Sequence, residues 1–229
     1  MSFRKFQNKT TWLFDLDNTL YSPKLNIFKQ IDLRMKRFIS KKLKISQDEA
    51  FDIQKKFYKK YGTTLYGLTK HYQINPEEFL RYVHDIDFSY LKISKSLNKK
   101  IKNLPGKKII YTNGDSVYAK KILNSLGIKN LFFDIFDIKK ANYLPKPMAS
   151  SLCRLLETYN LKPMEVAYFD DLEKNLKSAH LKGITTIHIS LNQKFLDDLH
   201  IDFRFRTIIN ALDVIKNSFN NGKNNELKT

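Results

Sequence analysis

Thr10–Tyr21, TTWLFDLDNTLY, is the stretch on which the reading of this chain turns. Thr10–Leu16 is a short run of β-branched, aromatic and aliphatic residues, the pattern of a buried strand. It runs into Asp15-Leu16-Asp17-Asn18-Thr19. In extended backbone, residues two apart point to the same side, so Asp15 and Asp17 put two carboxylates at one strand tip. Alone they repel, and a cation between them relieves the repulsion. A hard divalent ion with oxygen ligands meets that need, and Mg²⁺ suits phosphate chemistry best. The plainer alternative is a pair of solvated turn carboxylates.

Outward from that strand, Lys107–Thr112 (KKIIYT), Val166–Phe169 (VAYF) and Thr185–Ile189 (TTIHI) read as further strands, with Phe132–Ile138 a weaker one. Helical patterns separate them at Ser116–Leu126, Pro147–Tyr159 and Leu172–Lys182, with Gly127 and Gly183 placed as helix stops. Alternation of strand and helix implies an α/β fold, a Rossmann-like doubly wound parallel sheet. The first two strands stand too far apart for one crossover. Ile27–Leu43, Gln47–Tyr61, Pro76–Val83 and Ser94–Asn103 read as helices between them. The expectation is therefore a helical cap over residues 23–104, a core of residues 1–22 and 105–220, and a frayed polar tail over 221–229.

Ligands of open parallel sheets bind outside the carboxyl ends of the strands. The second strand ends in Thr112-Asn113-Gly114-Asp115 before a helix: an anion cradle, or plain capping. Lys146 sits between Pro145 and Pro147, a restricted backbone that fixes an ammonium; in a chain this rich in lysine it could equally be surface charge. The fourth strand ends in Asp170-Asp171, either metal ligands or acids favoured at a helix N-terminus. Each segment is ambiguous singly. Four of them, in chain order and each at a strand end, make the bland explanation improbable.

The composition narrows the class. Lys and Arg total 41 against 23 Asp and Glu, a net charge of +18. The basic residues recur on most predicted helices rather than forming one stripe, which favours a solvated surface over a nucleic-acid footprint. No apolar window approaches the roughly 18 residues of a membrane span. The polar Met1–Thr11 segment and the single Cys153 suggest a cytoplasmic protein without disulfides.

Asp15-x-Asp17-x-Thr19, Thr112-Asn113-Gly114, Lys146-Pro147 and Asp170-Asp171 together resemble the four ordered motifs of the haloacid dehalogenase-like hydrolase superfamily. The resemblance covers about Thr11–Ser190, and the insert's position is similar to the helical-cap subclass. DLDNTLY (Asp15–Tyr21), YGTTL (Tyr61–Leu65), YVHDID (Tyr82–Asp87) and TNGD (Thr112–Asp115) resemble more narrowly the pyrimidine 5′-nucleotidase branch, with Tyr66 standing where a basic residue is expected. The resemblance implies a Mg²⁺-dependent phosphate-monoester hydrolase acting on a small phosphorylated metabolite. Asp15 would be the nucleophile and Asp17 the general acid and base. Thr112 and the Asn113 amide would bind phosphoryl oxygens, and Lys146 would offset charge. Asp15, the Asp17 backbone carbonyl and Asp170 would hold the metal, with Asp171 supporting Lys146 or a metal-bound water. An acid at position 17 separates phosphatases from dehalogenases in that superfamily. Sugar-phosphate or phosphoglycolate phosphatases share every core residue and remain the alternative. Thr63 and Thr64 read equally as a substrate-reading cap loop or an ordinary turn. His84 is a candidate substrate contact, whereas His188 and Cys153 read as structural.

Overall fold

The computed structural model describes residues 3–192 and 199–226, with side chains described for 5–192 and 199–219. Its strands are β1 (Thr11–Phe14), β2 (Lys107–Tyr111), β3 (Asp134–Phe136), β4 (Val166–Asp170), β5 (Thr185–Ile189) and β6 (Phe203–Phe205). All pair in parallel, in the order β3-β2-β1-β4-β5-β6. The chain steps outward from β1 on one side, then returns to β4 on the other. The reversal therefore falls at β1, where Phe14 is in register with both Ile110 and Phe169.

The helices are α1 (Ile27–Leu43), α2 (Gln47–Tyr61), α3 (Thr64–Tyr72), α4 (Pro76–Val83) and α5 (Lys95–Lys102) before β2. After it come α6 (Ser116–Ser125), α7 (Ala149–Thr158), α8 (Glu173–Leu181) and α9 (Ile208–Glu226). A sheet buried on both faces needs apolar side chains at every strand position. All four residues of β1 are buried. Period-two alternation sorts them: Trp12 and Phe14 pack with Ile110, Phe169, Tyr118 of α6 and Ile215 of α9, while Leu13 packs with Ile109, Tyr168, Leu155 of α7 and Leu176 of α8. Helices thus cover both faces, as expected of a doubly wound sheet.

Helices α1–α4 pack on one another above the sheet's carboxyl end. Their starts are written locally: Ser46 and Glu49 form a reciprocal capping box on α2, and Asn75 caps α4 ahead of Pro76. Phe38 of α1 meets Phe79 of α4 edge-on at 5.2 Å between ring centres.

Four expectations need correction. Helix α5 lies with the core rather than the cap: Lys100 pairs with Asp213 of α9, and Asn98 Nδ2 donates to the Gly127 carbonyl at 2.7 Å. It packs against α9, so the overhead bundle is α1–α4. Helix α7 begins at Ala149 with Met148 at its cap, so Pro147 precedes the helix. Helix α9 continues through Glu226 into the segment expected to fray, and residues 227–229 lie outside the described residues. Strand β6 and helices α3 and α9 were not anticipated; β6 is only three residues long, too short to show a period. No helix among the described residues is long and apolar enough to cross a membrane.

Candidate active site

Because the strand order reverses at β1, the tips of β1, β2 and β4 stand side by side. Asp15 is the first residue beyond β1, and its N–H extends the ladder to the Phe169 carbonyl at 2.8 Å. Thr112 follows β2, and Asp170 ends β4. All three are buried. Lys146 arrives from the loop before α7 and is 3% exposed. Its Nζ donates to Asp15 Oδ1 at 2.6 Å, Asp170 Oδ2 at 2.9 Å and the Tyr111 carbonyl at 2.9 Å.

The loop carrying Lys146 is held by Asn113. The Lys146 N–H donates to Asn113 Oδ1 at 2.8 Å, and Asn113 Nδ2 donates back to the Lys146 carbonyl at 3.2 Å. The Asn113 side chain is thus a clamp on the lysine, leaving its backbone amide as the group that could face a phosphoryl oxygen. Thr112 Oγ1 accepts from the Gly114 N–H at 3.0 Å, so the hydroxyl proton remains free to be donated elsewhere.

Carboxylate oxygens of Asp15, Asp170 and Asp171 lie within 4.8 Å of one another. Thr19 Oγ1 donates to Asp15 Oδ2 at 2.8 Å. Asp170 accepts from Tyr168, from the Leu172 N–H at 2.8 Å and from Asn175 Nδ2 at 2.9 Å. Three carboxylates around one ammonium leave two negative charges in excess. The strain is electrostatic. Burial, offset in part by Lys146 and reinforced by Asp170 and Asp17, pushes the Asp15 carboxyl up to about 7. Burial together with Asp15 and Asp170 pushes Asp171 up to about 9. Burial opposes the Lys146 charge, yet its two carboxylate partners carry it above its ordinary value, so it stays an ammonium. A hard divalent cation fits this donor set. The set is all oxygen, short of two positive charges, and bordered by Asn175 Oδ1, a buried acceptor without a donor among the described residues.

Asp17 stands apart from the triad. Its Oδ1 accepts from the hydroxyls of both Tyr21 and Tyr118 at 2.5 Å. Burial and then the Asp17 charge hold both phenols well above their ordinary pKa, so they remain donors. Among the described residues, no donor engages Oδ2. Neither tyrosine was singled out in the sequence: Tyr21 closes the quoted Asp15–Tyr21 stretch, four residues after Asp17, and Tyr118, from α6, had no signal.

A cavity of about 370 Å³ lies between this floor and the cap, within the range of small-ligand sites. From the core it is lined by Asp15, Asp17, Thr112, Lys146 and Asp171, and from the cap by Gln54, Tyr58, Thr63, Thr64 and His84 among others. Thr63 lies in the short turn between α2 and α3, and Thr64 opens α3. Thr63 is its N-cap, and Thr64 spends its hydroxyl on the Gln54 carbonyl at 3.2 Å. His84 ends α4 and clasps the core: Nδ1 is 2.9 Å from Asp115 Oδ2, and its ring stacks on Tyr118 at 4.2 Å. Gly62, unremarked in the sequence, packs against the loop that carries Lys146. A Cβ there would fall 2.6 Å from Pro147 Cδ and 2.8 Å from the Lys146 carbonyl oxygen, at a φ of +86°.

Residues 10–181 match the family described as haloacid dehalogenase-like hydrolase. The chain is similar to Phosphate metabolism protein 8 of Saccharomyces cerevisiae, 28% identical over 77% of this chain, and spans 60% of that protein's length. It is also 28% identical to Glyceraldehyde 3-phosphate phosphatase of Methanocaldococcus jannaschii, over 90% of this chain and 96% of that one. Among solved structures, a HAD phosphatase from Thermococcus onnurineus superposes with a TM-score of 0.62 at 19% identity, covering 90% of this chain and 97% of that one, a likeness of fold.

Proposed function

Since the chain belongs to the haloacid dehalogenase-like hydrolase family, we propose that it is a Mg²⁺-dependent phosphate-monoester hydrolase that works through an aspartyl-phosphate on Asp15. One observation carries the reading: Lys146 bonded to both Asp15 and Asp170 inside a ring of three carboxylate groups, with Asp17 held separately on two tyrosines.

Each residue then has a task. Lys146 and Thr19 fix the Asp15 carboxylate at the strand tip, aimed along the line of attack on phosphorus. The Thr112 hydroxyl and the Asn113 amide receive phosphoryl oxygens, and the Lys146 ammonium offsets charge that grows in the transition state. Asp15 bonds to phosphorus as the ester oxygen leaves, and Asp17 gives that oxygen its proton. Asp17, now ionised, takes a proton from water as the water attacks phosphorus; inorganic phosphate leaves and Asp15 is restored. Asp15, Asp170 and Asp171, with the Asp17 carbonyl, would hold Mg²⁺, which supplies Lewis-acid polarisation of the phosphoryl group. The free Cys153 suits the reducing cytoplasm in which we place the enzyme.

For the substrate we favour nucleoside 5′-monophosphates, pyrimidine first, in a helical-cap enzyme of the pyrimidine 5′-nucleotidase branch. The support is the set of cap segments around Thr63, Thr64 and His84, all of which border the cavity. A sugar-phosphate phosphatase is the second reading, favoured by the full-length likeness to Glyceraldehyde 3-phosphate phosphatase. The test is turnover of 4-nitrophenyl phosphate with and without Mg²⁺, followed by a panel of uridine and cytidine 5′-monophosphates, ribose 5-phosphate and glyceraldehyde 3-phosphate. Asp15→Asn should lose at least about 1,000-fold in kcat, because no other group can form the covalent intermediate. An Asp15→Asn protein of native activity would remove the mechanism. Sugar phosphates hydrolysed faster than either pyrimidine nucleotide would transfer the proposal to the second reading.

A further inference from the structure

The three carboxylates of the floor are not held alike. Asp15 accepts from Lys146 and Thr19, and Asp170 from Lys146, Tyr168, the Leu172 N–H and Asn175. Among the described residues, no donor engages the Asp171 carboxylate, so its place is set through its backbone. Leu172 is the cap of α8, which leaves the Asp171 carbonyl outside the helix. That carbonyl lies 3.0 Å from Nε2 of His188. The other side of the same peptide, the Leu172 N–H, donates to Asp170 Oδ1 at 2.8 Å. One peptide plane is gripped at both ends, and turning it would shift the Asp171 side chain and release Asp170 together.

His188, which the sequence reads as structural, is 5% exposed and stands in β5 in register with Asp170 of β4 and Arg204 of β6. Its tautomer follows from its other nitrogen. Arg204 Nη1 is 3.1 Å from Nδ1, and a guanidinium only donates. Nδ1 therefore accepts, and the ring proton is assigned to Nε2, facing the Asp171 carbonyl. Glu173, the first residue of α8, aims the guanidinium: its Oε1 accepts from the same Nη1 at 2.8 Å. That carboxylate is 3.8 Å from His188 Nδ1, beyond hydrogen-bond reach. Glu173, Arg204 and His188 thus form a directed chain that ends on the peptide between Asp171 and Leu172.

We propose that His188 is a positioning residue for the cation site: its Nε2–H fixes the Asp171–Leu172 peptide and, through it, holds the Asp170 and Asp171 carboxylates at the spacing a divalent ion requires. This rests on the Mg²⁺ reading of the floor. Like charges in excess push the acids apart, and the clamped peptide resists that movement before an ion arrives. Partners one step behind metal ligands carry a large share of metal affinity for this reason.

Calorimetric titration of the metal-free chain with Mg²⁺ at one fixed pH tests the proposal without turnover. His188→Leu keeps apolar bulk and removes the donor, and the dissociation constant for Mg²⁺ should rise about 10- to 100-fold. His188→Gln, whose amide brings an N–H to the same carbonyl, should return it to within about threefold of the unaltered chain. Thr186→Val, two residues back in β5, breaks hydroxyl contacts with His200 and Asp202 and reports a merely destabilised strand. Its urea midpoint should fall while its Mg²⁺ affinity holds. Native affinity in His188→Leu overturns the proposal, and so does an equal loss in His188→Gln or Thr186→Val. Should His188→Leu fail to fold, Arg204→Met frees the imidazole to carry its proton on Nδ1; a rise of about threefold is expected there, less than one net hydrogen bond, and no rise overturns the proposal. Each of those results leaves the Mg²⁺ reading standing if the unaltered chain binds the ion and Asp170→Asn does not. Binding that survives Asp170→Asn, or none at all, overturns both.

Discussion

The floor and the roof of the cavity are built on opposite principles. The floor is ionic and fully determined: Asp15 and Asp170 are buried at strand tips with Lys146 bonded between them, and each of the three makes at least two polar contacts that fix its geometry. The roof is apolar with a few polar atoms, and these are shared with the cap's own folding, as when Thr64 bonds Gln54. Neighbouring parallel strands give a rigid lattice on which the residues at their tips converge. A helical bundle places its inward side chains through interhelical packing, which no local spacing records. The floor is therefore suited to chemistry common to many esters, and the roof to choosing among them.

The largest way to break that contrast is to remove the floor's cation. Lys146→Met leaves two buried carboxylates without their partner, which is expected to cost about 3–5 kcal/mol of stability and about 100- to 1,000-fold in kcat, as for one lost transition-state donor. Urea unfolding in EDTA measures the first, and Mg²⁺ should recover more stability in the variant than in the native chain. A variant as stable as the native chain without metal would mean the ion pairs of the floor hold nothing together.

Next in size is the seam where roof meets floor. Gly62→Ala places a methyl group where Pro147 Cδ and the Lys146 carbonyl already sit, and does so in left-handed backbone. It should push the Lys146 loop from the cap and lower kcat/KM about 10- to 100-fold, the penalty of a displacement near 1 Å at a catalytic group. Gly62→Asn separates the two causes. Asn tolerates left-handed backbone but is bulkier, so it should be no better than Ala; recovery with Asn would assign the loss to backbone strain instead of the cap's approach.

The same contrast explains what could be read before the fold was known. β1, β2, β4 and β5 were legible because a sheet covered on both faces demands apolar runs, and the candidate site was legible because Asp15, Thr112 and Asp170 stand at the tips of β1, β2 and β4 in chain order. Helices α1, α2 and α4 were readable from apolar spacing and caps, whereas α3 was not, because Thr63 capping it looks like any loop threonine. Gln54 gave no signal, since a glutamine in a helix reads as surface until its burial is seen. Tyr118 was missed for a related reason: it is far from Asp17 in sequence, and only the packing of α6 against β1 brings its hydroxyl there.

Tyr118 ties the two regions together, stacking on His84 of the cap and donating to Asp17 of the floor. Tyr118→Phe keeps the stack and removes one charge-assisted bond. We expect kcat to fall about 5- to 20-fold, as for one such bond, with KM for 4-nitrophenyl phosphate little changed. Native kcat would show that Tyr21 alone suffices to hold Asp17.

The smallest expected effect lies at the other end of the clasp, and its sign distinguishes a working contact from a coincidental one. Burial pushes the Asp115 carboxyl up, but the His84 hydrogen bond and charge, with the Tyr118 N–H, outweigh it and hold the group below its ordinary value. A depressed carboxyl stabilises the folded state above its unfolded pKa, about 3.9, and that contribution fades as pH falls through the lower folded value. The urea midpoint of the native chain should therefore exceed that of Asp115→Asn above about pH 5, and the difference should narrow below about pH 4. Asn keeps the cap on α6 with its one oxygen and turns Nδ2 toward His84, so the comparison removes the charge across the seam together with the acceptor that carries it. A midpoint difference constant with pH would make the His84–Asp115 contact a neutral hydrogen bond, and the cap would then be held to the floor by shape alone.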